Sequence, residues 1–178
     1  MSVPLIRFRP LAESDLPNLV GWFAEPEIAQ WWNQPAEIDS VRAKYLPRIE
    51  QREPTQMWIA EIDGEDGGLL QSYLHVDYID HDVCVGIDKA VGIDYLIAGP
   101  HRGRGQGRLV LRAFADWTLA RYRDASCCVA TPAQGNEASW RALDHAGFAR
   151  VGDCQPPDEP LAYVYVRERE GQSTPSGM

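Results

Sequence analysis

This sequence has fewer basic than acidic residues, no long apolar run and no basic leader, and each of these features argues against a class of protein. Lysine and arginine number 17 against 26 acidic residues, for a net charge of −9, whereas nucleic-acid-binding proteins present a basic face. No apolar stretch approaches the roughly 20 residues that a membrane-spanning helix needs. The first residues show no apolar run after a basic start, so no secretory signal peptide is expected. The sequence therefore predicts a soluble cytoplasmic protein that binds neither nucleic acid nor membrane.

Motifs for metal binding and for covalent catalysis are also missing. The four cysteines form no CxxC pair, and two of them are adjacent on a predicted buried strand, so we interpret them as reduced structural thiols. No Ser-His-Asp or Cys-His arrangement stands out. The histidines show no metal-ligand spacing; they are His75, His81, His101 and His145. We expect neither a metal ion nor a protein nucleophile.

The chain is long enough to form one hydrophobic core and too short for two domains of ordinary size. Its 178 residues are 44% hydrophobic and 24% charged, which is ordinary for a globular protein. Residues 171–178 are small and polar, which favours a flexible C-terminal tail. We therefore expect a single domain over residues 1–170, followed by that tail.

Apolar alternation predicts the strands of this domain, and helical spacing predicts its helices. The predicted strands are 3–9, 56–62, 69–77, 91–97, 126–131, 148–152 and 161–167. Helices are predicted from about Ser14, over 38–50, after residue 107 and over 136–146, with a short turn or helix over 27–32. Pro47 is expected to kink or break the helix over 38–50. Residues 63–68 predict a hairpin loop, and residues 78–89 are expected to be irregular, with an edge piece around 83–87.

The stretch from Val91 to Ala113 reads VGIDYLIAGPHRGRGQGRLVLRA, which predicts a strand, a glycine-rich loop and a helix. A glycine loop that opens a helix leaves backbone N–H groups unpaired, and these donors and the helix dipole bind anions. The loop lacks the Lys-Ser/Thr end of a Walker motif, and no ribose-binding acid of a dinucleotide fold follows it. Arg104, Arg108 and Arg112 recur every four residues, so they either meet phosphates or form a solvated basic face.

Acidic side chains cluster just before this loop. Five aspartates against one lysine lie between residues 77 and 94; they are Asp77, Asp80, Asp82, Asp88 and Asp94. Such a cluster attracts a cationic small molecule, although a plainly solvated loop is the alternative. Asp94 lies in an otherwise apolar strand beside the anion loop, so it either contacts the substrate, caps a turn or pairs with an arginine.

Two motifs resemble the GNAT superfamily of N-acetyltransferases, over about residues 3–168. One is Arg102-x-x-Gly105-x-Gly107 between a strand and a helix, and the other is the downstream series Asn136, Ser139, Leu143, Gly147 and Phe148. The resemblance implies an α+β fold whose mixed, mostly antiparallel central sheet is splayed between the fourth and fifth strands and flanked by helices. It implies acetyl-CoA as co-substrate, with loop amides on the pyrophosphate and with Asn136 and a strand end on the pantetheine arm. The implied contacts are Leu96, Ile97, Ala98, Arg102, Gly103, Arg104, Gly105, Gln106, Gly107 and Asn136.

A narrower resemblance is to the aminoglycoside 6′-N-acetyltransferases. It is carried by Trp31-Trp32, Tyr45-Leu46-Pro47, Gln71-Ser72-Tyr73, Gly92-Ile93-Asp94 and the segment 157–163. It implies acetylation of an aminoglycoside amine, the 6′-amine in that group, which confers antibiotic resistance. Because an amine of pKa about 9–10 must lose a proton before it attacks, Asp94 becomes the general base or the partner of a water in that role. The implied substrate contacts are Trp32, Tyr73, Asp77, Asp88, Asp94 and Asp158, in a monomer or homodimer.

Two positions depart from the pattern of these enzymes. Leu143 stands where many members have a tyrosine that protonates the leaving thiolate, so Tyr163, or else Tyr165, is expected in that role unless water protonates the thiolate. Thr131-Pro132 stands where a further acid is often found. Two rival functions stay open: acetylation of N-hydroxylysine in siderophore synthesis, and a non-catalytic module that binds acetyl-CoA or a drug.

Overall fold

One mixed sheet organises the chain. The structure, a computed structural model, describes residues 3–157 and 159–169. The strands are β1 (Ile6–Pro10), β2 (Gln56–Ile62), β3 (Glu65–Leu74), β4 (Ala90–Ile97), β5 (Cys127–Ala130), β6 (Ala149–Cys154) and β7 (Ala162–Glu168), in the spatial order β1-β2-β3-β4-β5-β7-β6. Every neighbouring pair is antiparallel except β4 and β5, which are parallel. The predicted α+β fold class with a mostly antiparallel sheet is confirmed.

Helices cover both faces of this sheet. They are α1 (Leu16–Phe23), α2 (Pro26–Trp32), α3 (Ile38–Ile49), α4 (Ile79–Val85), α5 (Gln106–Arg121) and α6 (Glu137–Ala146). On one face, α5 and α6 bury Leu111, Phe114 and Leu143 against the sheet. On the other face, α1 and α3 bury Leu19, Phe23 and Tyr45. Because strand side chains alternate between faces, β4 contributes Ile93 to the first core and Leu96 to the second.

The parallel pair separates after three residues. Ala90, Val91 and Gly92 pair with Cys127, Cys128 and Val129, and among the described strands no other residue of β4 pairs with β5. The N–H and C=O groups of Tyr95 and Ile97 therefore face a cleft rather than a neighbouring strand. This is the splay between the fourth and fifth strands that the resemblance implied.

The hairpin between β2 and β3 is present, with a tighter turn than predicted. Only Asp63 and Gly64 lie outside the strands, with φ angles of 54° and 87°. These positive angles suit a two-residue turn, whose twist matches that of the strands. The remaining glycines of the predicted loop belong to β3, beside a register shift between Ala60 and Glu61.

One local prediction was wrong, and one alternative of a second is excluded. The edge piece around residues 83–87 is instead the end of α4, which stops at Gly86 with φ 65°. Ile79 and Val83 of α4 are exposed, so its apolar residues follow no core pattern that the sequence could reveal. Of the kink or break expected at Pro47, the break is absent, since α3 runs through this residue to Ile49.

Candidate active site

The cleft beside the open part of β4 holds two adjoining cavities. One, of about 410 Å³, contains Asp94 and is called the Asp94 cavity. The other, of about 550 Å³, is lined by the glycine loop and is called the loop cavity. The residues that line both are Trp31, Trp32, Tyr95, Asn136 and Ser139. A molecule in one cavity can therefore meet a molecule in the other at this shared boundary.

Hydrogen bonds and ring packing hold that boundary in place. The indole Nε1 of Trp32 donates to the carbonyl oxygen of Tyr95 at 3.3 Å, and the Trp32 ring stacks on Phe23. The Tyr95 hydroxyl lies 2.6 Å from Ser139 Oγ, which links β4 to α6. The predicted role of Trp32 as a wall of the substrate site is thus compatible with its position between the cavities.

The glycine loop has the geometry of an anion site. Gly103 and Gly105 both have φ 72°, a left-handed conformation that favours glycine. Gly105 caps α5, and no side chain occupies the cap, so the N–H groups of the first turn remain available to a ligand. Arg102 and Arg108 line the loop cavity. Together these groups present positive charge and N–H donors to a phosphate.

The amides of β4 differ in availability. The Ala98 N–H donates to the Gly67 carbonyl at 2.9 Å, so Ala98 cannot polarise a bound carbonyl with that group. In an antiparallel strand, successive residues direct their N–H groups to opposite sides. The N–H groups of Tyr95 and Ile97 therefore point into the cleft. Of the amides near the end of β4, Ile97 is the one placed to contact a thioester.

Asp94 faces the Asp94 cavity from β4, and its neighbours on β3 complete that wall. Gln71 is its cross-strand partner, and Tyr73 is the partner of Gly92. A Cβ at position 92 would lie 2.5 Å from the Tyr73 ring, so glycine there gives Tyr73 its room. Burial, together with the charge of Asp94, raises the pKa of Tyr73 well above its usual value. Tyr73 is thus a neutral, buried side chain beside the Asp94 carboxylate.

Of the other predicted carboxylates, the two that the structure describes do not converge on Asp94. Asp77 is exposed in a separate groove with Arg121 and Tyr122, and Asp88 is exposed in the turn before β4. The helix α4 carries this acidic segment away from the cleft. Asp158 lies outside the described residues. Glu159 does line the Asp94 cavity, although the sequence analysis did not single it out.

Metal and membrane features are absent from the described residues. Within 3–157 and 159–169, no group of three His, Cys, Asp or Glu side chains is arranged to hold a metal ion. No helix in the same ranges has the length and apolarity to cross a membrane.

Comparison with known proteins gives the family. The family described as acetyltransferase (GNAT) domain matches residues 12–155. The chain belongs to the GNAT acetyltransferase family.

Relatives of this acetyltransferase share most of its length. An aminoglycoside N(6′)-acetyltransferase type 1 of Serratia marcescens is 30% identical over 165 residues, covering 89% of this chain and 81% of that protein. One of Klebsiella pneumoniae is 29% identical over 177 residues, covering 96% and 87%. The crystal structure of aminoglycoside acetyltransferase AAC(6′)-Ib with coenzyme A and kanamycin superposes with a TM-score of 0.80 at 27% identity, covering 93% of this chain and 95% of that one.

One feature of the acetyltransferase's anion loop has no signal in the sequence. Arg102 forms an ion pair with Glu25, and Glu27 lies 3.6 Å from the same guanidinium. Glu25 precedes α2 and also accepts from the Gly99 N–H at 3.4 Å. The carboxylates therefore offset the charge that Arg102 brings to the loop. Arg104 and Arg112 are exposed and do not line the cavity, so their side chains form a solvated basic face.

The acetyltransferase also places its tyrosines differently from expectation. Tyr163 packs beneath the guanidinium of Arg150, 3.6 Å from its ring centre, and neither Tyr163 nor Tyr165 lines either cavity. Leu143 is fully buried in the core. The phenol at the boundary of both cavities is Tyr95, whose pKa is raised by burial. The alternation of β4 could have indicated it, because Tyr95 follows Asp94 and faces the opposite side of the sheet.

Proposed function

We propose that this acetyltransferase transfers the acetyl group of acetyl-CoA to an amine of a cationic aminoglycoside, the 6′-amine, and so confers resistance to the drug. The observation that carries the proposal is the placement of Asp94 in a cavity that adjoins the anion-binding loop along the open part of β4. The relatives named aminoglycoside N(6′)-acetyltransferase support the choice of acceptor. So does the neighbouring structure with coenzyme A and kanamycin.

The loop cavity fits coenzyme A by its chemistry. The backbone amides of residues 103–107 and the Arg108 side chain match a pyrophosphate. The open edge of β4 at residues 96–98 lies beside the path of a pantetheine arm. Asn136 accepts from the Ser139 N–H at 3.2 Å through its side-chain oxygen, which leaves its NH₂ group to donate to that arm. When bound, acetyl-CoA supplies an activated acyl group on a good leaving group.

The protein's own groups then perform three tasks. Asp94, directly or through a water, accepts a proton from the acceptor ammonium so that the neutral amine can attack. The Ile97 N–H donates to the thioester oxygen as negative charge develops there. The Tyr95 hydroxyl donates to the Ser139 carbonyl at 3.1 Å, and it turns from that acceptor to donate a hydrogen bond to the departing sulfur. Its raised pKa keeps the phenol protonated. Leu143 supplies no proton, so Tyr95 replaces the tyrosine expected at that position.

The acceptor would lie between aromatic and acidic walls. Trp32 and Tyr73 bound the Asp94 cavity and offer apolar surface to sugar rings. Asp94 and Glu159 offer negative charge to ammonium groups. Asp158, next in sequence to Glu159, is kept as a proposed contact on the strength of the resemblance alone.

A thiol-release assay tests the proposal. Purified protein and acetyl-CoA are mixed with kanamycin, with N-hydroxylysine or with no acceptor, and free coenzyme A is measured. Release that depends on kanamycin, with one acetyl group added at the 6′-amine, supports the proposal. Release with N-hydroxylysine alone favours the siderophore-type reaction. Binding of coenzyme A without release in any mixture favours a non-catalytic module.

A further inference from the structure

Helix α3 brings two cationic side chains to the cavity that should receive a polycation. Lys44 and Arg48 both line the Asp94 cavity. They are four residues apart, so they lie on the same face of the helix, one turn from each other. A site built only to hold ammonium groups would avoid such a pair, because like charges in a confined space repel.

Arg48 is fixed close to Asp94 by its hydrogen bonds. Its Nη1 donates to the side-chain oxygen of Gln71 at 2.8 Å, and Gln71 is the cross-strand partner of Asp94. Its Nε donates to Glu53 at 2.8 Å. The described hydrogen bonds leave Nη2 unused, so the guanidinium can still donate to a ligand.

Lys44 is the second cation that lines the Asp94 cavity. It makes no ion pair within 4 Å with any residue of 3–157 or 159–169. Burial, and next the neighbouring charge of Arg48, lower the pKa of its ammonium, while Glu53 opposes the shift. The Glu53 carboxylate offsets part of this positive charge, and a ligand anion between Lys44 and Arg48 would offset more of it.

The charged residues that line the cavity are therefore of both signs. Asp94 and Glu159 are its acidic lining residues in the described chain, and Lys44 and Arg48 are its basic ones. An acceptor with ammonium groups throughout would meet repulsion at Lys44 and Arg48. An acceptor with an amine at one end and an acid at the other would match both signs.

We propose that Lys44 and Arg48 form an anion-accepting subsite, so that amines that also carry a carboxylate or phosphate group are acceptors besides the aminoglycosides. This proposal rests on the acetyl transfer proposed above and goes beyond the aminoglycoside acceptor. The two cations bind the acidic group by charge-assisted hydrogen bonds, while the amine lies towards Asp94. The same cations weaken binding of acceptors that present ammonium groups to α3.

The experiment compares Lys44→Gln with the wild-type protein. Acceptors are N-hydroxylysine, its carboxamide, glucosamine 6-phosphate and kanamycin. Arg42→Gln is the matched control, because it removes the same charge from α3 at a position that lines neither cavity. Lys44→Glu provides a second variant that reverses the charge without deleting buried surface.

In the wild type, kcat/KM for N-hydroxylysine should exceed that for its carboxamide by about tenfold, and Lys44→Gln should remove most of this difference. A preference for the phosphate over the carboxylate would identify the anion. KM for kanamycin should fall several-fold in Lys44→Gln and further in Lys44→Glu, with Arg42→Gln unchanged. Equal values in wild type and Lys44→Gln for every acceptor would overturn the proposal.

Failure of the transfer itself would give a different result. If no acceptor releases thiol although coenzyme A binds, the proposed function fails. Calorimetric titration of the acid and the carboxamide into wild type and Lys44→Gln then decides the subsite. Tighter binding of the acid, lost in the variant, supports it, and equal affinities overturn it.

Discussion

Asp94 and Tyr95 are adjacent in sequence and serve opposite faces of the sheet. The alternation of a strand directs Asp94 towards α3 and the acceptor, and Tyr95 towards α6. One residue can therefore act on the amine while the next acts on the sulfur. In the proposed mechanism, both residues act where β4 is open on one edge.

Replacing Asp94 tests the first of these roles. Asp94→Asn should lower kcat/KM at pH 7 by about 10²–10³-fold, because the acceptor ammonium loses its proton acceptor. The deficit should shrink as pH approaches the pKa of the amine itself, since water then removes the proton. Steady-state kinetics across pH measures this, with the exposed Asp77→Asn as control. Unchanged turnover at neutral pH would remove Asp94 from the mechanism.

Replacing Tyr95 tests the second role. Tyr95→Phe should lower kcat about tenfold with little change in the affinity for coenzyme A, because a single hydrogen bond to a good leaving group is lost. Tyr122→Phe is a suitable control, since its hydroxyl bonds to Ser72 outside both cavities. A large loss in Tyr163→Phe, and none in Tyr95→Phe, would restore the tyrosine that the sequence favoured.

At the scale of elements, two ion pairs of Arg102, with Glu25 just before α2 and with Glu27 in it, join α2 to the glycine loop. Glu25 lies at the start of α2, whose last residues Trp31 and Trp32 separate the two cavities. The same carboxylate holds Arg102. The position of the substrate wall and the charge of the anion loop are therefore coupled through this pair.

Freeing Arg102 should strengthen coenzyme A binding. Glu25→Gln removes a negative charge from beside the pyrophosphate site, so the Kd for coenzyme A should fall several-fold at low salt. The gain should diminish at high salt as charges are screened. Calorimetry at two salt concentrations measures it, with the exposed Glu37→Gln as control. A rise in Kd would show instead that Glu25 is needed to shape the loop.

A second ion pair ties the first helix to the first strand. Asp15 accepts from Arg9 at 2.7 Å and from the Ala12 N–H at 2.8 Å. Although burial acts in the opposite direction, these donors lower the pKa of Asp15 below its usual 3.8. A depressed folded-state pKa contributes stability that is present above about pH 4 and is lost as pH falls through the folded value.

Asp15→Asn should therefore lower the free energy of unfolding by about 1–3 kcal/mol at pH 7. The difference from wild type should shrink in more acidic solution, where the carboxyl is protonated. Chemical denaturation at pH 7 and near pH 3 measures both values. Glu13→Gln, which breaks an exposed pair with Arg42, should cost roughly 0–1 kcal/mol. A deficit that is the same at both pH values would contradict the assigned linkage.

At the scale of the whole molecule, the sequence predicted the strands well because they alternate strongly. β2, β4 and β7 lie within a residue or two of the expected ranges, and Gly147 ends α6 with φ 85° as a helix-terminating glycine should. The irregular stretch before β4 could not be assigned, since α4 is short and two of its apolar residues, Ile79 and Val83, face solvent. Because the helix α4 was not predicted, the aspartates on either side of it, Asp77 and Asp88, were expected in the site.

Long-range partners were beyond sequence reasoning. The pairing of Arg102 with Glu25 joins residues 77 positions apart, and the approach of Arg48 to Asp94 depends on how α3 packs against β3. Neither leaves a periodic pattern. The anion loop and Asp94 were predicted because each has a local sequence pattern. The loop has glycines before a helix, and Asp94 is a carboxylate within an apolar strand.

Calorimetric titration of the purified protein with coenzyme A tests the central claim most directly. If the open edge of β4 and the uncapped start of α5 form a coenzyme A site, one equivalent of coenzyme A should bind with a Kd of roughly micromolar order. Gly105→Val should abolish binding, because a β-branched residue resists the φ of 72° at that position. Absence of any affinity in the wild-type protein would contradict the account.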